Sequence, residues 1–256
     1  MTTPHLAVAD LHGHLSLFEE IVAAADAALG KDYVLVALGD YVDNGPEIPA
    51  LLDRLIALKK ERGDRFVPIM GNHDLACART LGWQGAAPNE SWWRQWLGRF
   101  GGGSTGQAYG ARSAKELAKK MPKDHQAFLQ GLPWFHETAE QVFVHAGLLD
   151  QELRPQLEEL AQKRLPAVEG FTNPQLRDKK LSALSSQRWG RVVVSAHNKS
   201  PAPAGHPNAP HYADPWRITL ASRADHDHVL YAVVLPDRRL LVADGRGPAR
   251  EAGPLK

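Results

Sequence analysis

Residues 33–43 read Tyr33-Val-Leu-Val-Ala-Leu-Gly-Asp-Tyr-Val-Asp43, an apolar run that stops at a glycine and leads to two carboxylates. Tyr33 to Leu38 has the length of one strand and no polar alternation, the pattern of a strand buried on both faces. Outward from it the same arrangement recurs. Leu6-Ala-Val-Ala9 runs into Asp10-Leu-His-Gly13, and Phe66-Val-Pro-Ile-Met70 runs into Gly71-Asn-His-Asp74. Further on, Val142-Phe-Val144 delivers His145, and Val192-Val-Val-Ser195 delivers His197. Helical patterns separate the early strands. Ser16-Leu-Phe-Glu19 predicts a capping box opening a helix that runs to about Gly30. Leu51, Leu52, Leu55, Ile56 and Leu58, after Pro46, predict a second helix that stops near Gly63. Alternation of this kind is α/β, and in open α/β sheets sites lie beyond the carboxyl ends of the strands. The polar residues fall there.

Six of them, Asp10, His12, Asp40, Asn72, His145 and His197, offer oxygen or imidazole donors. Singly each has a bland reading, since aspartate and asparagine after a strand are ordinary turn formers. Ending several strands this way has little structural use. A two-metal phosphoester hydrolase needs it: two divalent cations about 3.5–4 Å apart offset the charge on phosphate oxygens, acidify a water and clamp an in-line displacement. A bridging carboxylate must screen the cations from each other, and Asp40 is the choice for that role. Asp10 and His12 then complete one site; Asn72, His145 and His197 complete the other. Mixed carboxylate, amide and imidazole donors suit manganese first, with iron or zinc as alternatives. A structural zinc cage would require thiolates, and Cys77 is the single cysteine.

At these residues the chain resembles the calcineurin-like metallophosphoesterases, in particular the phosphoprotein phosphatase branch with its bacterial serine/threonine phosphatases and diadenosine tetraphosphatases. The family runs Asp-x-His-Gly, Gly-Asp-x-Val-Asp-Arg-Gly, Gly-Asn-His-Glu or -Asp, His-Ala-Gly or His-Gly-Gly, and Gly-His-Thr. Here these stand as Asp10-Leu-His-Gly13, Gly39-Asp-Tyr-Val-Asp-Asn-Gly45, Gly71-Asn-His-Asp74, His145-Ala-Gly147 and Ala196-His-Asn198. Gly101-Gly-Gly-Ser-Thr-Gly-Gln-Ala-Tyr-Gly110 also looks like the Gly-Gly-x-x-Thr-Leu-x-x-Tyr-Gly of bacterial members. The likeness covers roughly residues 5 to 200. It implies two mixed sheets packed as a sandwich with helices outside. It also implies that His73 meets substrate and protonates the leaving oxygen, that Asp43 orients its ring, and that the nucleophile comes from solvent. Asn44 stands where the family has an arginine that grips phosphate, and an amide lacks the bidentate charged fork. Arg177, chosen over Arg188 and Arg191, stands for a second phosphate-binding arginine. Lys199 occupies the place of the second histidine of nuclease branches, which favours a phosphatase. The stretch Arg217-Ile-Thr-Leu-Ala-Ser222 lacks the relatives' Asp-Thr-Gly.

The rest of the chain bounds the reading. Its 256 residues suit a single domain, 1–256, with a Trp-rich helical insert around 78–135. A net charge of +1 gives no general attraction to nucleic acid or membrane. The single cysteine fits a reducing compartment, and no apolar stretch reaches membrane-span length, so a cytoplasmic protein is expected. Trp83, Trp92, Trp93 and Trp96 are expected in packing before base stacking. Asp74 is expected to support its loop. Asp225-His-Asp-His228 mimics a metal motif but reads as a polar turn, within a tail from Trp216 to Val242 that predicts antiparallel hairpins. Pro201 to Pro215 is a proline-rich connection, either a wall of the site or a linker. The function expected is dinuclear hydrolysis of phosphomonoesters by a phosphoprotein-phosphatase-like enzyme. Dinucleoside polyphosphate hydrolysis is the alternative, to which Gly71-Asn-His-Asp-Leu75 leans. A non-catalytic metal-binding module is the rival from another class, and the intact ligand set argues against it.

Overall fold

The computed structural model describes residues 3–164, 177, 178, 180–201 and 211–255. Two mixed sheets form its centre. In the first, the parallel strands β1 (His5–Val8), β2 (Val34–Ala37) and β3 (Phe66–Pro68) continue through the antiparallel β9 (Leu230–Leu235), β10 (Arg239–Ala243) and β11 (Arg250–Pro254), in the order β11-β10-β9-β1-β2-β3. The second has the order β4-β5-β6-β8-β7. Here β5 (Gln141–Val144), β6 (Val192–Ser195) and β8 (Arg217–Leu220) are parallel, flanked by antiparallel edges β4 (Phe135–Glu137) and β7 (His211–Ala213). Leu6, Leu35, Val36, Phe143 and Val193 are fully buried, as strands covered on both faces require. The α/β expectation with an antiparallel end holds.

Helix α1 (Leu15–Leu29) packs on β9 and β10, and α2 (Ile48–Arg62) packs on β3. Helix α2 ends at Gly63, whose positive φ of 57° is a backbone conformation that glycine adopts without strain. The predicted capping box at Ser16 does not form. Ser16 already lies inside α1, and its backbone N–H and hydroxyl both donate to the Glu47 carboxylate, at 3.2 and 3.3 Å. Glu19, the other half of the box, is drawn away to Arg54, 2.5 Å from its Nε. A carboxylate from the next motif loop thus caps α1.

The tail also departs from expectation. Only the turn between β9 and β10 closes a hairpin of the expected pair; β8 lies in the second sheet, parallel to β6. The segment read as a hairpin turn is a helical turn, Ala224–Asp227, that carries the chain from one sheet to the other. The β-branched run fixed the strand but not the sheet it joins. Residues 202–210 of the proline-rich connection lie outside the described residues.

Between β3 and β4 the chain is helical: α3 (Asn72–Gly82), α4 (Glu90–Phe100), α5 (Gly103–Ala108), α6 (Ala114–Lys120) and α7 (Lys123–Gly131). Asn89 caps α4 by accepting the Trp92 N–H at 3.0 Å. Trp92, Trp96 and Phe100 recur every fourth residue, so they share one buried face of α4, with Trp93 beside them, and α4 packs on α3. Trp83, Trp92, Trp93 and Trp96 are all buried, as packing requires, and Trp96 has a hydrogen bond besides.

Candidate metal centre

The parallel strands of both sheets point their carboxyl ends at one place. There Asp10, Asp40, His145 and His197 bring one potential ligand atom each within 4.8 Å of one another, and His12, Asp40 and His73 form a second such group. Asp40 belongs to both. Its Oδ2 lies 3.3 Å from His145 Nε2, 3.8 Å from His12 Nε2 and 3.9 Å from His73 Nε2. Asn72 Oδ1 and His197 Nδ1 stand 2.9 and 3.2 Å from His145 Nε2. All six residues expected as ligands therefore converge, five of them buried and His197 half-buried.

The backbone there is strained. Among the described residues, nine non-glycine residues have positive φ, and His12, Asp40, Asp43, Asn44 and His197 are five of them. Left-handed backbone costs such residues about 1–3 kcal/mol each and persists only where surroundings hold it. Asp74 provides much of that hold. Its buried carboxylate accepts N–H bonds from Asp40 (2.7 Å), Tyr41 (2.8 Å), Val42 (3.3 Å) and Gly71 (3.0 Å), tying the β2 loop to the β3 loop. Gly71 is required by closeness: a Cβ on it would stand 2.1 Å from Asp40 Oδ1. The sheets are joined at the site as well, since His197 N–H donates to Asp10 Oδ1 at 3.0 Å.

The imidazoles show most about the chemistry. His12 Nδ1 lies 3.0 Å from the Val42 carbonyl, His145 Nδ1 lies 2.7 Å from the Leu38 carbonyl, and His197 Nε2 lies 2.7 Å from the Arg177 carbonyl. A carbonyl only accepts, so each of these nitrogens carries the proton. The other nitrogen of each ring, with its lone pair, faces Asp40 and its neighbours. This backbone tethering is how proteins orient metal-binding histidines. With His145 in its neutral form, its Nε2, His197 Nδ1, Asn72 Oδ1 and Asp40 Oδ2 form a set of acceptors with no donor among them, a set that suits a divalent cation; without a cation, His145 Nε2–H can donate to Asn72 Oδ1. Burial would lower His145, but Asp40 and Asp10 outweigh it and push it up to about 9. Burial and the His145 charge lower His197 to about 3, leaving its ring neutral. Burial would raise Asp40, yet the imidazoles of His145 and His73 hold it well below the usual carboxylate range. Burial, with Asp40 close by, raises Asp10.

His73, at the start of α3, faces the same centre. Its Nδ1 stands 2.8 Å from Asp43 Oδ2, its ring meets His12 edge-on at 4.7 Å and Phe100 edge-on at 5.5 Å. Burial would lower its pKa, but Asp40 and the hydrogen bond to Asp43 push it up to about 9. Two partners of Asp43 escaped the sequence reading. Trp96 Nε1 donates to Oδ2 at 2.7 Å and Thr105 Oγ1 donates to Oδ1 at 2.5 Å. Thr105 sits inside the quoted Gly101–Gly110 stretch; Trp96 had no signal beyond its tryptophan neighbours.

Arg177 and Asn44 are placed differently. Arg177 stacks its guanidinium 4.4 Å over the Phe100 ring and holds His197 through its carbonyl. Arg191 pairs with Glu137 at 2.7 Å, at the amino end of β6 and so away from the centre. Asn44 is exposed; its amide donates to Asp225 Oδ2 at 3.2 Å, the same oxygen that Lys199 reaches at 3.1 Å. His226 and His228 join neither ligand group.

This arrangement has relatives. The family model for calcineurin-like phosphoesterases matches residues 3–232. The chain belongs to the calcineurin-like phosphoesterases. Symmetrical bis(5'-nucleosyl)-tetraphosphatases are similar to part of it: that of Paraburkholderia phymatum is 43% identical over 70 residues, covering 27% of this chain and 23% of the relative. That of Acidovorax sp. (strain JS42) is 40% identical over 68 residues, 27% of this chain and 22% of the relative. The matches thus span less than a quarter of these relatives. Among solved structures, one assigned as a diadenosine tetraphosphatase superposes with a TM-score of 0.61 at 21% identity, covering 96% of both chains. A cold-active protein-tyrosine phosphatase of a psychrophilic Shewanella species superposes at 0.55 with 14% identity, covering 98% of this chain and 80% of that one. These likenesses establish the fold, two mixed sheets with flanking helices. Among the described residues no helix is long and apolar enough to cross a membrane.

Proposed function

We propose that Asp10, His12, Asp40, Asn72, His145 and His197 hold two divalent cations with Asp40 between them, and that the chain is a metal-dependent phosphatase. The observation that carries this reading is the tethering of His12, His145 and His197 to backbone carbonyls, which turns three lone pairs towards one carboxylate. Bound there, the cations would supply Lewis-acid chemistry, offsetting phosphate charge and making a water nucleophilic near neutral pH. The chain's own residues do the rest. His73 gives its Nε2 proton to the departing oxygen while Nδ1–H stays on Asp43. Asn44 and Arg177 flank the place where substrate would lie, Asn44 as a neutral donor and Arg177 as a cation on Phe100. Manganese is the first choice of metal, iron and zinc the others.

For the substrate, the curated relatives support a dinucleoside polyphosphate, whereas the Gly39-Asp-Tyr-Val-Asp43 motif supports a phosphoserine or phosphothreonine protein. The test is one screen of manganese-loaded protein on p-nitrophenyl phosphate, a phosphopeptide and diadenosine tetraphosphate. Turnover of at least one is expected. Inactivity on all three with both cations bound would overturn the phosphatase reading, and the larger kcat/KM between the last two decides the class.

A further inference from the structure

Asp43 has no exposure at all, so no solvent reaches its carboxylate. Every donor it has comes from the chain. His73 Nδ1 and Trp96 Nε1 share Oδ2, at 2.8 and 2.7 Å, and the Thr105 hydroxyl donates to Oδ1 at 2.5 Å. The same Thr105 oxygen accepts the Asp43 backbone N–H at 3.0 Å. That single side chain therefore fixes both the carboxylate and the left-handed backbone (φ 70°) of Asp43. Trp96 and Thr105 come from α4 and α5, far along the chain from Asp43, and both are themselves fully buried.

Packing does not explain the Trp96 contact. Among the described residues, Trp83 and Trp134 are buried with indole N–H groups that find no partner, so a tryptophan can be buried here for bulk alone. Trp96 instead aims its N–H at the carboxylate that accepts from His73 Nδ1. The turn before α5 is shaped to that ring: a Cβ on Gly102 would stand 2.4 Å from the indole, and the Gly102 N–H donates to the Trp96 carbonyl. Four residues beyond Trp96, on the same helical face, Phe100 meets the His73 ring edge-on.

We propose that Trp96 and Thr105 are positioning residues that hold the Asp43 carboxylate in the one orientation that fixes the His73 ring and its Nδ1–H tautomer. The inference rests on the reading of His73 as proton donor to the leaving oxygen. Both outer donors are neutral, so they fix the plane of the carboxylate without cancelling its charge, and that charge stays available to His73. The helical insert thereby becomes part of the catalytic apparatus through two hydrogen bonds. Loss of either donor frees Asp43 to rotate, and the ring with it, although no group touching substrate has changed.

The variants are Trp96→Phe, which keeps most of the bulk and loses the N–H, and Thr105→Val, which keeps the shape and loses the hydroxyl. Thr105→Ser is the rescue. With manganese-loaded protein, kcat for an alkyl phosphate should fall about 10–100-fold, the range for groups that orient a functional residue. The fall on p-nitrophenyl phosphate should be smaller, since a good leaving group needs little protonation, with KM and bound manganese unchanged. Thr105→Ser should recover most of the loss. Imidazole nitrogen NMR of the metal-free protein, at a pH high enough for a neutral His73 ring, needs no turnover and should show one Nδ1–H tautomer of His73 in the parent and a mixture in the two variants. Equal losses on both esters, or an unchanged His73 tautomer in variants with parental thermal stability, would overturn the proposal. His73→Asn separates this from failure of the underlying reading. If it too loses equally on both esters, the proton-donor role falls; if only its loss depends on the leaving group, the role stands and the positioning claim falls.

Discussion

At the scale of single residues the centre is a problem of like charges and lone pairs. Asp40 is the one anion facing His12, His73 and His145 together, so neutralising it removes more than any other single ligand change can. Asp40→Asn should bind fewer cations and lose more turnover than Asp10→Asn, His12→Ala or Asn72→Ala, compared by manganese titration and kcat on one ester. A variant at another ligand that proves worse would move the bridge elsewhere. His73→Ala should lower turnover by about 10²–10⁴, the range for a general acid. Metal content should stay intact, and the loss should be smaller for p-nitrophenyl than for alkyl phosphate. Asn44 makes a third case. Its amide already meets Asp225, beside Lys199. An arginine at 44 would compete with Lys199 for that carboxylate while offering phosphate a charged fork. Asn44→Arg should lower KM for small phosphomonoesters by the equivalent of about 1–3 kcal/mol. Unchanged KM on every ester would show that position 44 does not meet the phosphate.

These residues were legible to different degrees, and the difference is physical. Asp10 with His12, Asp40 with Asp43, and Asn72 with His73 stand within a few positions of each other, because one strand end supplies both. Local sequence carries that signal. Trp96 and Thr105 reach Asp43 across 53 and 62 positions, and a tryptophan on a buried helix face looks the same whether or not its N–H has a task. Nothing local marks it.

At the scale of elements, the strands buried on both faces could be read directly, and the edges could not. β4 and β7 are three-residue strands, half-buried throughout. β11 reads Arg-Glu-Ala-Gly-Pro, a sequence of low strand propensity that forms a strand through its pairing with β10. The capping box failed for a related reason: both of its partners found better ones in other elements, Glu47 and Arg54. The loops between elements depend most on Asp74. Asp74→Ala leaves the N–H groups of Asp40, Tyr41 and Gly71 without their acceptor. A buried donor left unsatisfied costs about 1–3 kcal/mol, so the metal-free variant should lose several kcal/mol in urea unfolding. A loss below about 1 kcal/mol would show that the strained loops hold themselves.

At the scale of the whole molecule, the site joins the two sheets. The proposed ligands after β1, β2 and β3 face those after β5 and β6, and the His145 ring and His197 backbone already bond across the gap to Leu38 and Asp10. A cation held from both sides would add to that fastening. At about a hundredfold its Kd, a ligand bound only by the folded state stabilises it by about 2.7 kcal/mol. Thermal unfolding should therefore shift upwards by several degrees on manganese loading and return on chelation. An unchanged midpoint would mean that the metals do not bind across the sheets.

The most direct test of the account is the number of cations per chain. Purified protein, loaded with manganese and freed of excess, should carry two per chain by elemental analysis, and Asp40→Asn should carry fewer than two under the same treatment. A parent protein that holds one manganese or none would contradict the dinuclear centre, and with it the assignment of Asp40 as the residue between two ions.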